Sequence, residues 1–158
     1  MKFSVFISPK AIRSKLAAST KEGVISEMVD ALVEAGEVKE ADRADIIKAI
    51  MKREELGSTG IGRGVAVPHT KHASVEKLVG TVGISESGLD FDSLDGQDAS
   101  LFFLLVSPPD RPGDHLRALE NISRQLRDDS FCRLLRQSKT PEDILQLLDE
   151  ADSSQFGS

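Results

Sequence analysis

Apolar residues recur at two different spacings along this chain of 158 residues, and the spacings divide it into helical and strand-forming segments. Between residues 25 and 33 the spacing is helical; a capping box with Ser19 as the cap precedes this stripe, and Gly36 is placed to stop the helix. A second stripe predicts a helix over residues 41–54, with Arg53 at its end.

Four other segments favour loops or extended structure. Phe3–Ile7 alternates in polarity as a short strand does, and residues 78–85 are a longer strand candidate. Residues 100–106 contain a continuous apolar run, which is typical of a central strand covered on both faces. Four glycines between residues 57 and 64 cannot sustain a helix. We therefore predict a loop that leads into a short buried strand ending at Pro68-His69.

Helical patterns return after the strand-rich middle, over residues 116–126, 130–137 and 140–149. Helices thus flank the strands on both sides in the chain order. This order predicts an α/β fold, a three-layer α/β/α sandwich with a mixed central sheet. We expect residues 1–150 to form a single domain and residues 151–158 to form a flexible polar tail.

Composition excludes several classes of function. The chain has 26 acidic and 20 basic residues, seven Phe and no Trp or Tyr, which argues against a nucleic-acid-binding protein. Its longest apolar run, Leu101–Val106, is far shorter than the ~20 residues of a membrane-spanning helix. The segment after Lys2 is too short for a signal peptide, so we expect a cytoplasmic protein. The single cysteine, Cys132, can form no internal disulfide and is predicted to be a packed thiol.

Two of the three histidines lie where an α/β fold could handle a phosphate. His69 ends a buried strand after the glycine-rich loop, and binding sites of α/β folds lie at strand ends. His115 lies in the first turn of a helix, where backbone amides and the helix dipole favour anions. Arg53, judged by its position alone, is better explained as a cation at a helix end.

The segment from Arg53 to His69, R-E-E-L-G-S-T-G-I-G-R-G-V-A-V-P-H, closely resembles a known signature. It is similar to that of the fructose/mannitol and nitrogen-regulatory class of IIA components (EIIA type 2) in the phosphoenolpyruvate-dependent sugar phosphotransferase system (PTS). The resemblance continues through Gly88-Leu89-Asp90-Phe91 and His115-Leu116, and spans roughly residues 7–149.

The resemblance implies a phosphotransferase without a cofactor, in which His69 carries the phosphoryl group as a tele-phosphohistidine. It also implies that His115 is the second histidine of the site and that Arg53 binds the phosphate, while Arg63 is a residue at the rim. The implied donor is HPr or an HPr-like carrier of the nitrogen branch, and the implied acceptor is a IIB protein. In the alternative, a nitrogen-type regulatory protein, the phosphorylation state controls binding to target proteins. The sugar, the branch, the downstream partner and the oligomeric state stay open.

Other kinds of site fit the sequence less well. His69 and His72 could suggest a metal pair, but no cysteine or acidic ligand is near them, so we expect no metal. Asp90, Asp92 and Asp95 fail the spacing of a calcium loop. A third hypothesis is that this chain shares the fold of the family but cannot be phosphorylated. It is disfavoured because Arg53, His69 and His115 are all present.

Overall fold

The computed structural model of the protein describes residues 1–157, and the side chains of residues 1–154. The helices are α1 (Phe3–Phe6), α2 (Lys21–Glu34), α3 (Arg43–Glu55), α4 (Pro112–Gln125), α5 (Asp129–Gln137) and α6 (Pro141–Gly157), with 3-10 turns at Pro9–Ala11 and Glu40–Asp42. The strands are β1 (Gly60–Gly62), β2 (Val65–Ala66), β3 (His69–Lys71), β4 (Val79–Leu89) and β5 (Ala99–Ser107).

Strand β5 is the centre of a mixed sheet. β4 runs antiparallel along one edge of it, from the pair Val79 and Val106 to the pair Leu89 and Ala99. β2 and β3 both run parallel along the other edge, with the same register offset of 36 residues (101 − 65 and 105 − 69). They are therefore one strand interrupted at Val67 and Pro68. β1 extends the sheet beyond β2 in antiparallel orientation.

Alternation along β5 divides the core into two halves. Leu101, Phe103 and Leu105 pack with buried residues of α1, α4, α5 and α6. Phe102, Leu104 and Val106 pack with buried residues of α2 and α3. The helices therefore form one layer on each face, and the predicted three-layer α/β/α sandwich is confirmed. Cys132 is buried as predicted, and its thiol donates to the Leu126 carbonyl at 3.3 Å.

Both chain ends differ from the sequence-based expectation, and one contact links them. Phe3–Phe6 is a helical turn and not the predicted strand, because Phe3 and Phe6 both enter the core and lie three residues apart. We expected a flexible polar tail over residues 151–158; α6 continues as helix to Gly157, and Ser158 lies outside the described residues. The buried Asp152 carboxylate accepts hydrogen bonds from the Phe3 and Ser4 amides at 2.7 and 2.9 Å and so joins the two ends.

The predicted cap at the start of α2 is one residue too early, and the predicted stop at its end is correct. Thr20, and not Ser19, is the cap, and its hydroxyl accepts from the Gly23 amide at 3.1 Å. Gly36 follows the helix with φ of 79°, a left-handed conformation that glycine adopts without steric cost. The predicted stop is therefore confirmed.

Candidate functional site

His69 is the first residue of β3 and lies beside the carboxyl end of β5. Val65 and Val67 on the same interrupted strand face the half of the core formed by α4, and alternation places His69 on that face as well. The ring nitrogen Nδ1 lies 2.7 Å from the Val67 carbonyl oxygen. A carbonyl can only accept a hydrogen bond, so Nδ1 carries the hydrogen and Nε2 keeps its lone pair.

The surroundings of His69 keep the ring neutral. Burial lowers the pKa of His69, and the positive charge of Arg53 lowers it further. The hydrogen bond to Val67 and the charge of Glu54 act in the opposite direction, but the pKa still lies below 6.5. A neutral ring with a free lone pair at Nε2 is the nucleophilic form of histidine.

His115, from the first turn of α4, lies against His69. The two ring centroids are 5.2 Å apart and the rings are tilted by 59°. The ring of His115 is buried, and its Nδ1 is hydrogen-bonded to the hydroxyl of Ser107, the last residue of β5. Burial lowers the pKa of His115 to about 4, and the charge that His69 carries when protonated and the charge of Lys71 add to this effect. His115 is therefore also neutral near pH 7.

The end of α3 carries Arg53 and, at the next residue, a buried ion pair. Arg53 donates to the Gly57 carbonyl at 3.0 Å. The next residue, Glu54, is buried and accepts hydrogen bonds from the amide and the hydroxyl of Thr59, and its carboxylate lies 2.9 Å from Nζ of Lys21. Two successive residues of α3 thus fix the loop that follows the helix.

The structure therefore brings His69 and His115 into ring contact and places Arg53 close enough for its charge to act on His69. Three more residues of this region carried no assignment from sequence: Lys21, Glu54 and Ser107. Two of these could have been found from the sequence. Glu54 lies within the signature, and alternation along β5 puts Ser107 on the same face as Leu101, Phe103 and Leu105, the face that α4 covers.

Comparison with known proteins identifies the family. The sequence profile described as phosphoenolpyruvate-dependent sugar phosphotransferase system, EIIA 2, matches residues 5–151. The chain belongs to this family. The resemblance inferred from the signature is thereby confirmed, and the protein is a member of a phosphotransferase system.

Relatives of this EIIA 2 protein have both regulatory and sugar-specific names. It is 34% identical over 148 residues to a nitrogen regulatory protein of Bradyrhizobium diazoefficiens, covering 94% of this chain and 95% of that one. It is 35% identical over 152 residues to the PTS system fructose-specific EIIABC component of Bacillus subtilis, covering 96% of this chain and 24% of that one. The crystal structure of the nitrogen regulatory protein IIA-Ntr from Neisseria meningitidis superposes with a TM-score of 0.83 at 28% identity, covering 92% of this chain and 98% of that one.

The structure places Arg63 away from the histidines of this EIIA protein. Arg63 occupies the turn between β1 and β2, where it pairs with Asp129 and donates to the carbonyls of Leu126 and Arg127 after α4. The pairs of β5 with β2 and β3 start four residues apart, at Leu101 and Leu105, which is about 13 Å along a strand. The interpretation of Arg63 as a residue at the rim of the site is therefore wrong.

His72 is also separate from the other two histidines in its contacts. Its ring is held between the Asp45 carboxylate at Nε2 and the Ser74 hydroxyl at Nδ1. Among the residues that the structure describes, no group of three or more His, Cys, Asp or Glu side chains could hold a metal ion. Within the same residues, no helix has the length and apolar character needed to cross a bilayer.

Proposed function

We propose that this EIIA 2 family protein is a phosphohistidine carrier that accepts a phosphoryl group on Nε2 of His69 and passes it to a partner protein. The observation that carries the proposal is the hydrogen bond from Nδ1 of His69 to the Val67 carbonyl. This bond occupies one ring nitrogen and leaves the other as the nucleophile, which agrees with the tele-phosphohistidine implied by the family signature.

The transfer step balances without a proton shuttle. The lone pair of Nε2 forms the new N–P bond while the N–P bond to the donor's histidine breaks, and the donor ring recovers that electron pair. The hydrogen on Nδ1 of His69 stays in its hydrogen bond to the Val67 carbonyl. A positive charge develops on the ring as the N–P bond forms, and the carbonyl oxygen stabilises that charge. In the onward step His69 is the donor: a nucleophile of the next protein forms the new bond to phosphorus while the N–P bond to Nε2 of His69 breaks, and Nε2 recovers that electron pair.

Arg53 and His115 would stabilise the moving phosphoryl group. Its transition state is loose and carries charge on three equatorial oxygens, so catalysis depends on positioning and on hydrogen-bond donors. Arg53 offers a planar guanidinium that can hold two oxygens at once. A neutral His115 can donate one ring N–H without adding a second full charge beside His69.

The proposed donor is HPr or an HPr-like carrier of the nitrogen branch, and the proposed acceptor is a IIB protein, all in the cytoplasm. A second candidate has the same site and chemistry but a different output. The similarity to the nitrogen regulatory proteins of Bradyrhizobium and Neisseria supports a regulatory protein whose phosphorylation state controls binding to its targets.

Incubation with enzyme I, phosphoenolpyruvate and HPr or its nitrogen-branch relative tests the chemistry. We expect one acid-labile phosphoryl group on His69, detected by intact mass and mapped by fragmentation. His69→Ala should abolish labelling, and His72→Ala, the matched control, should label like the wild type. Labelling that persists in His69→Ala, or that maps to His72, would refute the assignment. Onward transfer to a IIB protein would favour the carrier, whereas target binding that changes with phosphorylation, without onward transfer, would favour the regulator.

A further inference from the structure

Ser107 is a buried polar residue for which the proposed chemistry has so far no use. It ends β5 and is fully buried. The sheet register places it opposite Lys71 of β3, two residues beyond His69 on the same face. Its hydroxyl is hydrogen-bonded to Nδ1 of His115, so it contacts the second histidine of the site and not the first.

The direction of this hydrogen bond decides which nitrogen of His115 carries the hydrogen. A neutral imidazole has one N–H, and a serine hydroxyl can either donate or accept. If Nδ1 donated, the hydroxyl hydrogen of Ser107 would need another acceptor. Among the described residues, the Ser107 hydroxyl makes no hydrogen bond other than the one to His115. A buried hydroxyl without an acceptor is costly, so the favoured direction is from Ser107 to Nδ1.

We propose that Ser107 donates its hydroxyl hydrogen to Nδ1 of His115 and thereby holds that ring as the tautomer with its hydrogen on Nε2. The two histidines then have opposite tautomers. His69 has its hydrogen on Nδ1 and its lone pair on Nε2, and His115 has the reverse arrangement. One ring supplies the nucleophile and the other supplies a donor.

This assignment rests on the proposed function for its consequence, because only a phosphoryl group on His69 gives the N–H of His115 an anion to contact. The other tautomer would turn a lone pair of His115 towards the phosphoryl oxygens, which repel it. Ser107 does not touch the phosphoryl group in this scheme. It is a positioning residue that acts through His115, which is why its test needs a readout of tautomer as well as of rate.

The tautomer of the wild-type protein can be measured directly. Nitrogen-15 NMR of the imidazole rings at pH 7 separates protonated from unprotonated ring nitrogens and assigns each to Nδ1 or Nε2. We expect the hydrogen on Nδ1 for His69 and on Nε2 for His115. A His115 ring protonated on Nδ1 would overturn the proposal, whatever the variants do.

Two variants of nearly equal shape isolate the hydroxyl. Ser107→Thr keeps it and Ser107→Val replaces it with a methyl group. We expect Ser107→Val to leave His115 as a mixture of tautomers and to slow phosphoryl transfer to His69 on the order of fivefold, the effect of one neutral hydrogen bond. Ser107→Thr should keep the wild-type tautomer and most of the rate. An unchanged tautomer and rate in Ser107→Val would refute the role of Ser107.

Further controls separate the two proposals. If the branched side chains do not fit the buried position, Ser107→Ala and Ser107→Cys repeat the comparison without added bulk at Cβ. If wild-type protein takes no phosphoryl group from any carrier, the proposed function fails, while the NMR result still decides the tautomer. If wild-type protein is phosphorylated but His115 has its hydrogen on Nδ1, the inference about Ser107 fails and the proposed function stands.

Discussion

The two ends of the central strand β5 use charged residues in opposite ways. At its amino end, Arg63 is paired with Asp129, and Arg136 donates to the Arg63 carbonyl and to the Ser100 hydroxyl at 3.1 Å. At its carboxyl end, Arg53 binds a single carbonyl oxygen, and no ion pair of Arg53 occurs among the described residues. At the amino end the arginines are paired with a carboxylate and with carbonyl and hydroxyl oxygens. At the carboxyl end a positive charge and neutral imidazoles are available to an anion.

This difference separates two arginines of the same signature. Arg53 and Arg63 stand ten residues apart, but the first lies at the end of α3 and the second in a turn with φ of 59°. A residue whose donors are already used by carboxylate and carbonyl oxygens stabilises the fold. A residue whose donors are mostly unused is available for a ligand. Substitutions at the two arginines should therefore have separable effects.

The largest effect should come from Arg53→Lys. Lysine keeps the positive charge at the helix end but loses the planar contact with two phosphate oxygens, so we expect the phosphorylation rate to fall roughly 10²- to 10³-fold. The melting temperature should stay near that of the wild type. Arg63→Lys is the matched control and should be phosphorylated at the wild-type rate. Equal rates for Arg53→Lys and the wild type would make Arg53 a structural cation only.

As the pH falls, acid should destabilise the carboxyl end of β5, where His69 and His115 lie, before its amino end. The pKa of His115 is about 4 in the folded protein and 6.5 in the unfolded chain, so the unfolded chain binds the extra proton as the pH falls from 6.5 to 4. The free energy of unfolding should therefore decrease over this window, by at most about 3 kcal/mol from His115. The lowered pKa of His69 acts in the same direction.

At the other end of β5, amide hydrogen bonds from Arg63 and Gln97 lower the pKa of Asp95 below 3.8. Its contribution to stability is therefore lost only when the pH falls below about 4. Urea unfolding at several pH values, with His115→Asn and Asp95→Asn, separates the two groups. His115→Asn should flatten the dependence between pH 6.5 and 4, and Asp95→Asn should not. A similar slope in His115→Asn and the wild type would contradict the assignment.

The smallest effect should come from Arg63→Met. Methionine keeps much of the side-chain packing but removes a half-exposed ion pair and two hydrogen bonds to carbonyls after α4. We expect a loss of about 1 kcal/mol in the free energy of unfolding, since exposed pairs contribute little. For a domain of this size that is a decrease of roughly 2–4 °C in melting temperature. Phosphorylation should be unchanged, and a slower rate would place Arg63 in the function of the site after all.

The sequence alone predicted most of the fold, because its helices and long strands have clear periodicity. The exceptions have long-range causes. Phe3–Phe6 looks like a strand by alternation, but its amides bind Asp152, which no local pattern could show. The same contact holds α6 at Asp152, within the segment whose polarity suggested a tail.

The site was predicted from the signature, and its supporting contacts were not. His69, His115 and Arg53 come from a resemblance that fixes residue types at fixed spacing. The ion-pair partner of Glu54, Lys21, comes from α2, which is distant in the chain. The partner of His115, Ser107, is only eight residues away, but it lies on β5 and contacts His115 only once the chain has turned back into α4. Arg63 was misplaced because distance along the sequence is a poor guide once a strand carries the chain about 13 Å away.

The bond between Asp152 and the first helical turn also has a consequence for modularity. The carboxylate contacts amides 149 and 148 residues earlier, so the chain enters and leaves the domain at neighbouring points. Two short connectors at that single place would suffice to carry the domain inside a longer polypeptide, with both layers of helices and the sheet intact. In the fructose-specific relative of Bacillus subtilis, a similar segment makes up 24% of the chain. One side chain therefore holds together the two points at which such connectors would attach.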